Sequence, residues 1–133
     1  IGDWVVIDAT TGALVELLPR RSLIKRVNPL GGLQLIAANV NTAFIVISCN
    51  ADFSPERLER YLSVVLEADI APVLLLTKID LADDIDAYTS VLSQRFPEIP
   101  CLPINALDTR EVIKLDPWCG LGQTIALLGF SGV

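Results

Sequence analysis

Two charged side chains just past an apolar run carry the first chemical suggestion in this chain. In Val73-Leu74-Leu75-Leu76-Thr77-Lys78-Ile79-Asp80-Leu81, five apolar or β-branched residues lead into Lys78 and Asp80, two positions apart. Such a run predicts a buried strand with a polar tip, and in an open α/β sheet ligands sit beyond the carboxyl ends of the strands. Extended geometry across Ile79 predicts that both charged side chains face the same way. A carboxylate there can accept two hydrogen bonds from a fork of N–H donors, and the ring N–H of guanine beside its exocyclic amine is such a fork. The stem of the lysine can lie along the flat face of a base. A solvated Lys/Asp pair at an ordinary strand end fits the same residues, so a second feature must decide.

That feature lies at the far end of the chain. Residues 123–128 read as an apolar strand running into Gly129-Phe130-Ser131-Gly132-Val133. A strand, a Gly and four further residues form the first half of the phosphate-cradling loop Gly-x-x-x-x-Gly-Lys-Ser/Thr, in which successive backbone N–H groups surround phosphate oxygens. A plain turn also accounts for this stretch taken alone. Joined to the tip at 77–80, and to a shorter strand that ends in the small residue Ala106, it becomes more specific. Three strand ends of one sheet would then supply base edge, base rim and phosphate.

The elements that must hold these tips can be read from the pattern. Residues 4–7 and 13–18 are two β-rich runs around a hairpin-type connection, Asp8-Ala9-Thr10-Thr11-Gly12, and 22–27 is a third strand. Asn28-Pro29-Leu30-Gly31-Gly32 breaks the pattern, and a domain boundary is expected between there and Asn39. Three short antiparallel strands are too few for an independent core, and they look like the tail end of a small barrel whose first strands lie upstream of Ile1. After Asn39, strand and helix alternate. Residues 42–48 are a continuous apolar strand, then Ser54 caps a helix with Pro55 in its first position. Leu58, Tyr61, Leu62, Val65 and Leu66 form its apolar stripe, with Arg57 outside it. Asp83 or Asp84 opens a second helix with Ile85, Tyr88, Leu92 and Phe96 inward. Residues 101–104 are a third strand of this part, and Asp108 caps a short helix. This alternation predicts a mostly parallel α/β sheet with right-handed crossovers.

Composition narrows the classes. The 133 residues suffice for one ordinary domain, or one and a piece of another, and 52% of them are hydrophobic. No apolar run reaches the roughly 18 residues of a membrane helix, and no signal-peptide pattern opens the chain, although a start at Ile1 is compatible with a removed N-terminus. Cys49, Cys101 and Cys119 have no metal-ligand spacing and are expected as buried free thiols in a reducing compartment. The net charge of −6 is uneven. Residues 1–40 hold four basic side chains, Arg20, Arg21, Lys25 and Arg26, against three acidic ones, whereas 41–133 hold six against thirteen. A polyanion would be tolerated only by the first part; a solvated, strand-borne charge cluster is the competing reading.

With these motifs in place, a family resemblance emerges. Thr77-Lys78-Ile79-Asp80 resembles the guanine-specificity motif of GTPases, usually Asn-Lys-x-Asp, and Asn105-Ala106-Leu107 occupies the place of their Ser-Ala-Lys motif. Both precede the phosphate loop here, an inverted order that resembles the circularly permuted GTPases. The run of Leu-Pro-Arg-Arg, Ala-Ala-Asn-Val, Cys-Asn-Ala-Asp-Phe, Arg-Leu-Glu-Arg-Tyr, Thr-Lys-x-Asp-Leu, Pro-Trp-Cys and Gly-x-Ser-Gly-Val from Leu18 to Val133 is similar to the bacterial small-subunit-dependent GTPases of the RsgA/YjeQ family.

The resemblance implies an organisation and a set of roles. Residues 1–38 would be the end of an RNA-binding OB-fold β-barrel, and 39–133 the leading part of a circularly permuted P-loop GTPase domain, ending inside the phosphate loop. Asp80 would take the guanine N–H groups, Lys78 would flank the base, and Thr77, in place of the commoner Asn, would tie the motif around Ile79 to the phosphate loop. Ala106 would offer its backbone N–H to the guanine carbonyl while Asn105 holds that loop, and Leu107 replaces the Lys that covers the base in many GTPases. Gly129, Phe130, Ser131, Gly132 and Val133 would wrap the phosphates. Arg20, Arg21, Lys25 and Arg26 would contact ribosomal RNA.

The activity implied is hydrolysis of GTP, bound with Mg²⁺, in late maturation of the small ribosomal subunit in the cytoplasm, away from membranes. No catalytic or metal-binding residue is expected within these 133 residues, which alone should be inactive, and zinc is expected only in a segment beyond Val133. An RNA-docking OB scaffold without nucleotide chemistry is the alternative, predicting salt-sensitive RNA binding and no preference for GTP over ATP. A Rossmann-like enzyme using adenine cofactors is disfavoured because no Gly-x-Gly-x-x-Gly comes after the strand at 42–48.

Overall fold

The computed structural model of the chain describes residues 1–28, 31–130 and 132. Its amino-terminal part forms two antiparallel pairs. β1 (Val5–Ile7) pairs with β2 (Leu14–Leu17) around a turn held by Asp8, whose Oδ1 accepts from the backbone N–H groups of Thr10 and Thr11 at 2.9 and 2.7 Å. Trp4 and Leu14 are each 66% exposed, as expected of strands too few to close over a core. β3 (Leu23–Val27) pairs with β4 (Leu33–Ala38). β4 corrects the expectation from sequence, which placed only breakers and a boundary in that stretch. Leu-Gln-Leu-Ile-Ala-Ala has no clean alternation, and it is pairing with β3 that makes it a strand.

This second pair is docked onto the carboxy-terminal part of the chain. Ile24 is only 1% exposed and shares a core cluster with residues of that part, and Ser22 Oγ donates to Val40 O at 2.7 Å. Asn39 turns the chain at φ 57°, a left-handed conformation that Asn tolerates better than most residues. Its side chain holds the junction by accepting from Arg21 N at 2.9 Å and donating to Gly2 O at 2.8 Å.

From Asn41 onward the alternation is regular. β5 (Thr42–Ser48), α1 (Pro55–Glu67), β6 (Ala71–Thr77), α2 (Ile85–Arg95), β7 (Cys101–Pro103), α3 (Thr109–Val112) and β8 (Ile125–Gly129) succeed one another, with a 3₁₀ segment, Ile113–Trp118, after α3. The four strands form one parallel sheet in the order β7-β6-β5-β8. Both of its faces are covered, which explains why β5 and β6 read as continuous apolar runs. Ile45, Ile47, Leu74 and Leu76 meet Leu58, Leu62 and Val65 of α1 and Leu92 of α2 on one face. Phe44, Val73 and Leu75 meet Ile104 and Trp118 on the other, with the Phe44 and Trp118 rings edge to face at 6.0 Å. Each fully buried aliphatic side chain contributes about 1.5–3 kcal/mol.

Helix starts obey their sequence signals in two cases of three. Asp84 caps α2 by accepting from Ala87 N at 3.0 Å, and Asp108 caps α3 by accepting from Arg110 N at 2.9 Å. Pro55 opens α1 as expected, but the Ser54 hydroxyl donates to the Glu56 carboxylate at 3.1 Å instead of capping a backbone N–H. Leu66 also departs from the expected stripe and is 57% exposed, because β3 and β4 lie along the flank of α1 that carries Tyr61 and Val64. β8 begins two residues later than expected and runs through Gly129, since Asn41 holds Thr124 from both sides: Asn41 N donates to Thr124 O and Thr124 N donates to Asn41 Oδ1.

All three cysteines are free thiols, but only Cys49 is buried; Cys101 is half-buried and Cys119 exposed, at the surface end of the 3₁₀ segment. No helix among the described residues is long and apolar enough to cross a membrane. Burial pushes the Cys101 thiol up to about 11 from its ordinary 9.0, with neighbouring Cys49 adding to the effect. The unfolded thiol therefore ionises first as pH rises, so the stability that Cys101 contributes is complete below pH about 9 and is lost as pH climbs to about 11. Urea unfolding across that window should show a downward slope in stability that is shallower in Cys101→Ala; equal slopes in the two proteins would refute the assignment.

Candidate nucleotide-binding site

The strand order creates a crevice. From β5 the chain moves outward to β6 and β7, then returns to the other side of β5 with β8. Such a reversal leaves an opening at the carboxyl ends of the strands, where open α/β sheets bind ligands. Ser48 pairs with Thr77 on one side of β5 and Val46 with Gly129 on the other, so the two motifs leave the sheet at the same end.

At the β6 tip, Thr77 is buried and its hydroxyl donates to Ile47 O at 3.3 Å. The ladder ends there, with Cys49 N donating to Thr77 O at 2.9 Å. Lys78 then takes a left-handed conformation (φ 56°, ψ 33°), and Ile79–Leu81 forms a 3₁₀ turn closed by Leu81 N donating to Lys78 O at 3.0 Å. This corrects the expectation of extended geometry across Ile79: strand alternation no longer relates Lys78 to Asp80. A left-handed lysine costs of order 1–3 kcal/mol and persists where its surroundings hold it. Here the Lys78 ammonium donates to the Gly132 carbonyl. The tie between the two motifs thus runs through Lys78, whereas Thr77 bonds to β5. The Asp80 carboxylate is exposed and has no partner among the described residues, so its acceptor sites remain open.

At the β7 tip, Ile104 N donates to Leu76 O at 2.9 Å, which carries the β6–β7 alignment one residue further. Asn105 shapes the next turn: its Oδ1 accepts from Leu107 N and its carbonyl from Asp108 N, both at 3.0 Å. Ala106, at the apex, is an exposed residue, and its N–H has no partner among the described residues. Leu107 stands out in solvent, 89% exposed.

Past β8, Phe130 and Gly132 are described, and Gly132 has φ 84°, a conformation open to glycine. Ser131 and Val133 lie outside the described residues. Helix α1 reaches this segment in a way the sequence pattern did not show. Tyr61 OH donates to Gly129 O at 3.1 Å, its ring meets that of Phe130 edge to face at 5.5 Å, and the Arg57 guanidinium lies 4.7 Å over the Phe130 ring. The only sequence signal was the spacing of Arg57 and Tyr61, one helical turn apart.

The basic cluster is dispersed. Arg20 binds Asp3 in a fork at 2.6 and 3.3 Å, which holds the Asp3 carboxyl below its usual range, chiefly through that hydrogen bond. Lys25 lies 4.0 Å from Glu67, and Arg26 donates to Gln34 Oε1 at 2.8 Å. Arg21 is exposed, and its guanidinium has no partner among the described residues.

Comparison with known proteins agrees with this arrangement. Residues 17–133 match the model of a family described as RsgA GTPase. The chain is 45% identical to the small ribosomal subunit biogenesis GTPase RsgA 2 of Vibrio parahaemolyticus over all of its own length and 37% of that protein's. It is 44% identical to the RsgA of Mesorhizobium japonicum, covering 39% of it. The chain thus spans about two-fifths of the length of these relatives. Among solved structures, YjeQ from Thermotoga maritima matches with a TM-score of 0.76 at 20% identity, over 99% of this chain and 46% of that one. YloQ, described as a circularly permuted GTPase, matches with a TM-score of 0.71 at 25% identity over the same shares. The sheet is that of the circularly permuted GTPases, the small antiparallel pairs fit an OB-like part, and the chain belongs to the RsgA GTPase family.

Proposed function

We propose that this chain supplies the guanine-recognising half of a site that binds and hydrolyses GTP, in a protein acting in late maturation of the small ribosomal subunit. The observation that carries this reading is the hydrogen bond from Lys78 to the Gly132 carbonyl, which joins the base motif to the phosphate-loop segment across β5. In this reading Asp80 accepts the two guanine N–H groups, Lys78 lines the base, and Thr77 and Ile79 fix the turn that presents them. Ala106 donates its N–H to the guanine carbonyl from the turn that Asn105 holds. Gly129, Phe130, Ser131, Gly132 and Val133 surround the phosphates with backbone donors. Asp80 and Ala106 are exposed residues whose carboxylate and N–H have no partners among the described residues, which supports these roles.

Residues 1–38 are, in the same proposal, part of an OB barrel, and 39–133 the leading part of the permuted GTPase domain. Arg21 has the guanidinium best placed for ribosomal RNA, because Arg20, Lys25 and Arg26 each have a partner or counter-charge on the protein. The protein would work in the cytoplasm on GTP with Mg²⁺. The loop lysine, the groups that hold Mg²⁺ and a zinc-binding segment would all come from outside these residues.

Two outcomes test the proposal. In the full-length protein, Asp80→Asn exchanges an acceptor for a donor opposite the guanine amine, so GTP affinity should fall while xanthosine triphosphate, with a carbonyl there, gains. Unchanged binding of both nucleotides would remove Asp80 from the site. The 133 residues alone lack the groups that neutralise charge on a transferred phosphate, so a single-turnover assay should detect no phosphate release above the uncatalysed rate. Measurable release would overturn that part of the proposal.

A further inference from the structure

We infer that Tyr61 and Arg57 of α1 are positioning residues for the phosphate loop, an inference that rests on the nucleotide-binding reading above. A trans peptide holds its C=O and N–H on opposite sides, so fixing the Gly129 carbonyl on the α1 side also fixes the Phe130 N–H to point away from it. Tyr61 does this with a hydroxyl bond of 3.1 Å across 68 positions of sequence, at the point where β8 makes its last pairing, Val46 with Gly129. The next residue is secured on two sides. The Phe130 ring meets the edge of Tyr61 at 5.5 Å and lies under the Arg57 guanidinium at 4.7 Å.

Arg57 is left available for this by its neighbours. Glu56 and Glu59, the acids beside it on α1, are both taken by Arg95 of α2, at 2.6 and 2.9 Å, and Arg57 forms no ion pair among the described residues. The clamp therefore joins a rigid helix to a segment carrying Gly129 and Gly132. Glycine itself has wide backbone freedom, which nucleotide binding would otherwise have to remove at Gly129. Holding the segment's first peptide in place lowers the ordering cost of binding, and the effect belongs to the phosphates rather than to the base.

The test uses the full-length protein, with fluorescent GDP and GTP analogues and ATP as competitor. Tyr61→Phe removes one hydrogen bond and should weaken GDP and GTP binding by about fivefold, mainly through faster dissociation. Arg57→Ala should weaken binding similarly, and Arg57→Lys, which keeps a cation over the ring, should recover most of it. The preference for GTP over ATP should not change, and the melting temperature without nucleotide should stay within about 2 °C of the parent's. If Tyr61→Phe and Arg57→Ala bind nucleotide as the parent does, the clamp is wrong and the nucleotide site stands. If affinity falls only in step with melting temperature, or if GTP/ATP selectivity changes, the two residues are structural or base-directed and the inference is likewise overturned. A parent protein that binds no guanine nucleotide would remove both the site and its clamp.

Discussion

The candidate site depends on one strand being shared. β5 pairs in parallel with β6 along all seven of its residues, Thr42 to Ser48, and with β8 along five, Thr42 to Val46. With neighbouring strands about 4.8 Å apart, the tips of β6 and β8 lie about 10 Å from one another across β5, on the same end of the sheet. A slip of one residue in either ladder would exchange the side chains of the two covered faces and break their fit against α1, α2 and Trp118. The register that builds the core therefore also sets the separation between the tip of β6 and the segment beyond β8.

The loops that leave the sheet are held by polar contacts that the core does not supply. Lys78 occupies a left-handed conformation rare for its type, and its ammonium ends on the Gly132 carbonyl. Asn105 closes a turn around an exposed Ala106. These loops carry their polar atoms outward over an apolar sheet, which suits them to a ligand that brings its own donors and acceptors.

α1 links the two parts of the chain. On one flank it packs against Ile24 of β3, and its last residue, Glu67, faces Lys25. Six residues earlier on the same helix, Tyr61 meets Gly129 and Phe130. A single 13-residue helix thus touches the strand carrying two of the four clustered cations and the segment beyond β8. Its buried face, Leu58, Leu62 and Val65, anchors it to the sheet between these contacts.

Elements whose signals are local could be read directly from the residues. β5 and β6 are continuous apolar runs bounded by polar residues, Pro55 opens α1, and the Asp83-Asp84 pair and Asp108 mark the starts of the helices after it; each signal acts within a few residues. The short motifs ending at Asp80, centred on Ala106 and starting at Gly129 were legible as site candidates for the same reason, since their spacing is short. Contacts between distant segments account for the rest. β4 exists because β3 pairs with it, and Leu66 is exposed because β3 and β4 cover another flank of α1. Lys78 leaves the extended conformation where the ladder with β5 ends at Thr77, and its contact with Gly132 spans 54 positions. Arg20 is paired because Asp3, 17 positions away, lies beside it. Tyr61 and Arg57 looked like one stripe residue and one solvated charge, because a local pattern cannot show which distant strand end a helix flank will meet. Such contacts form between segments that only packing brings together, and no periodicity in the chain encodes them.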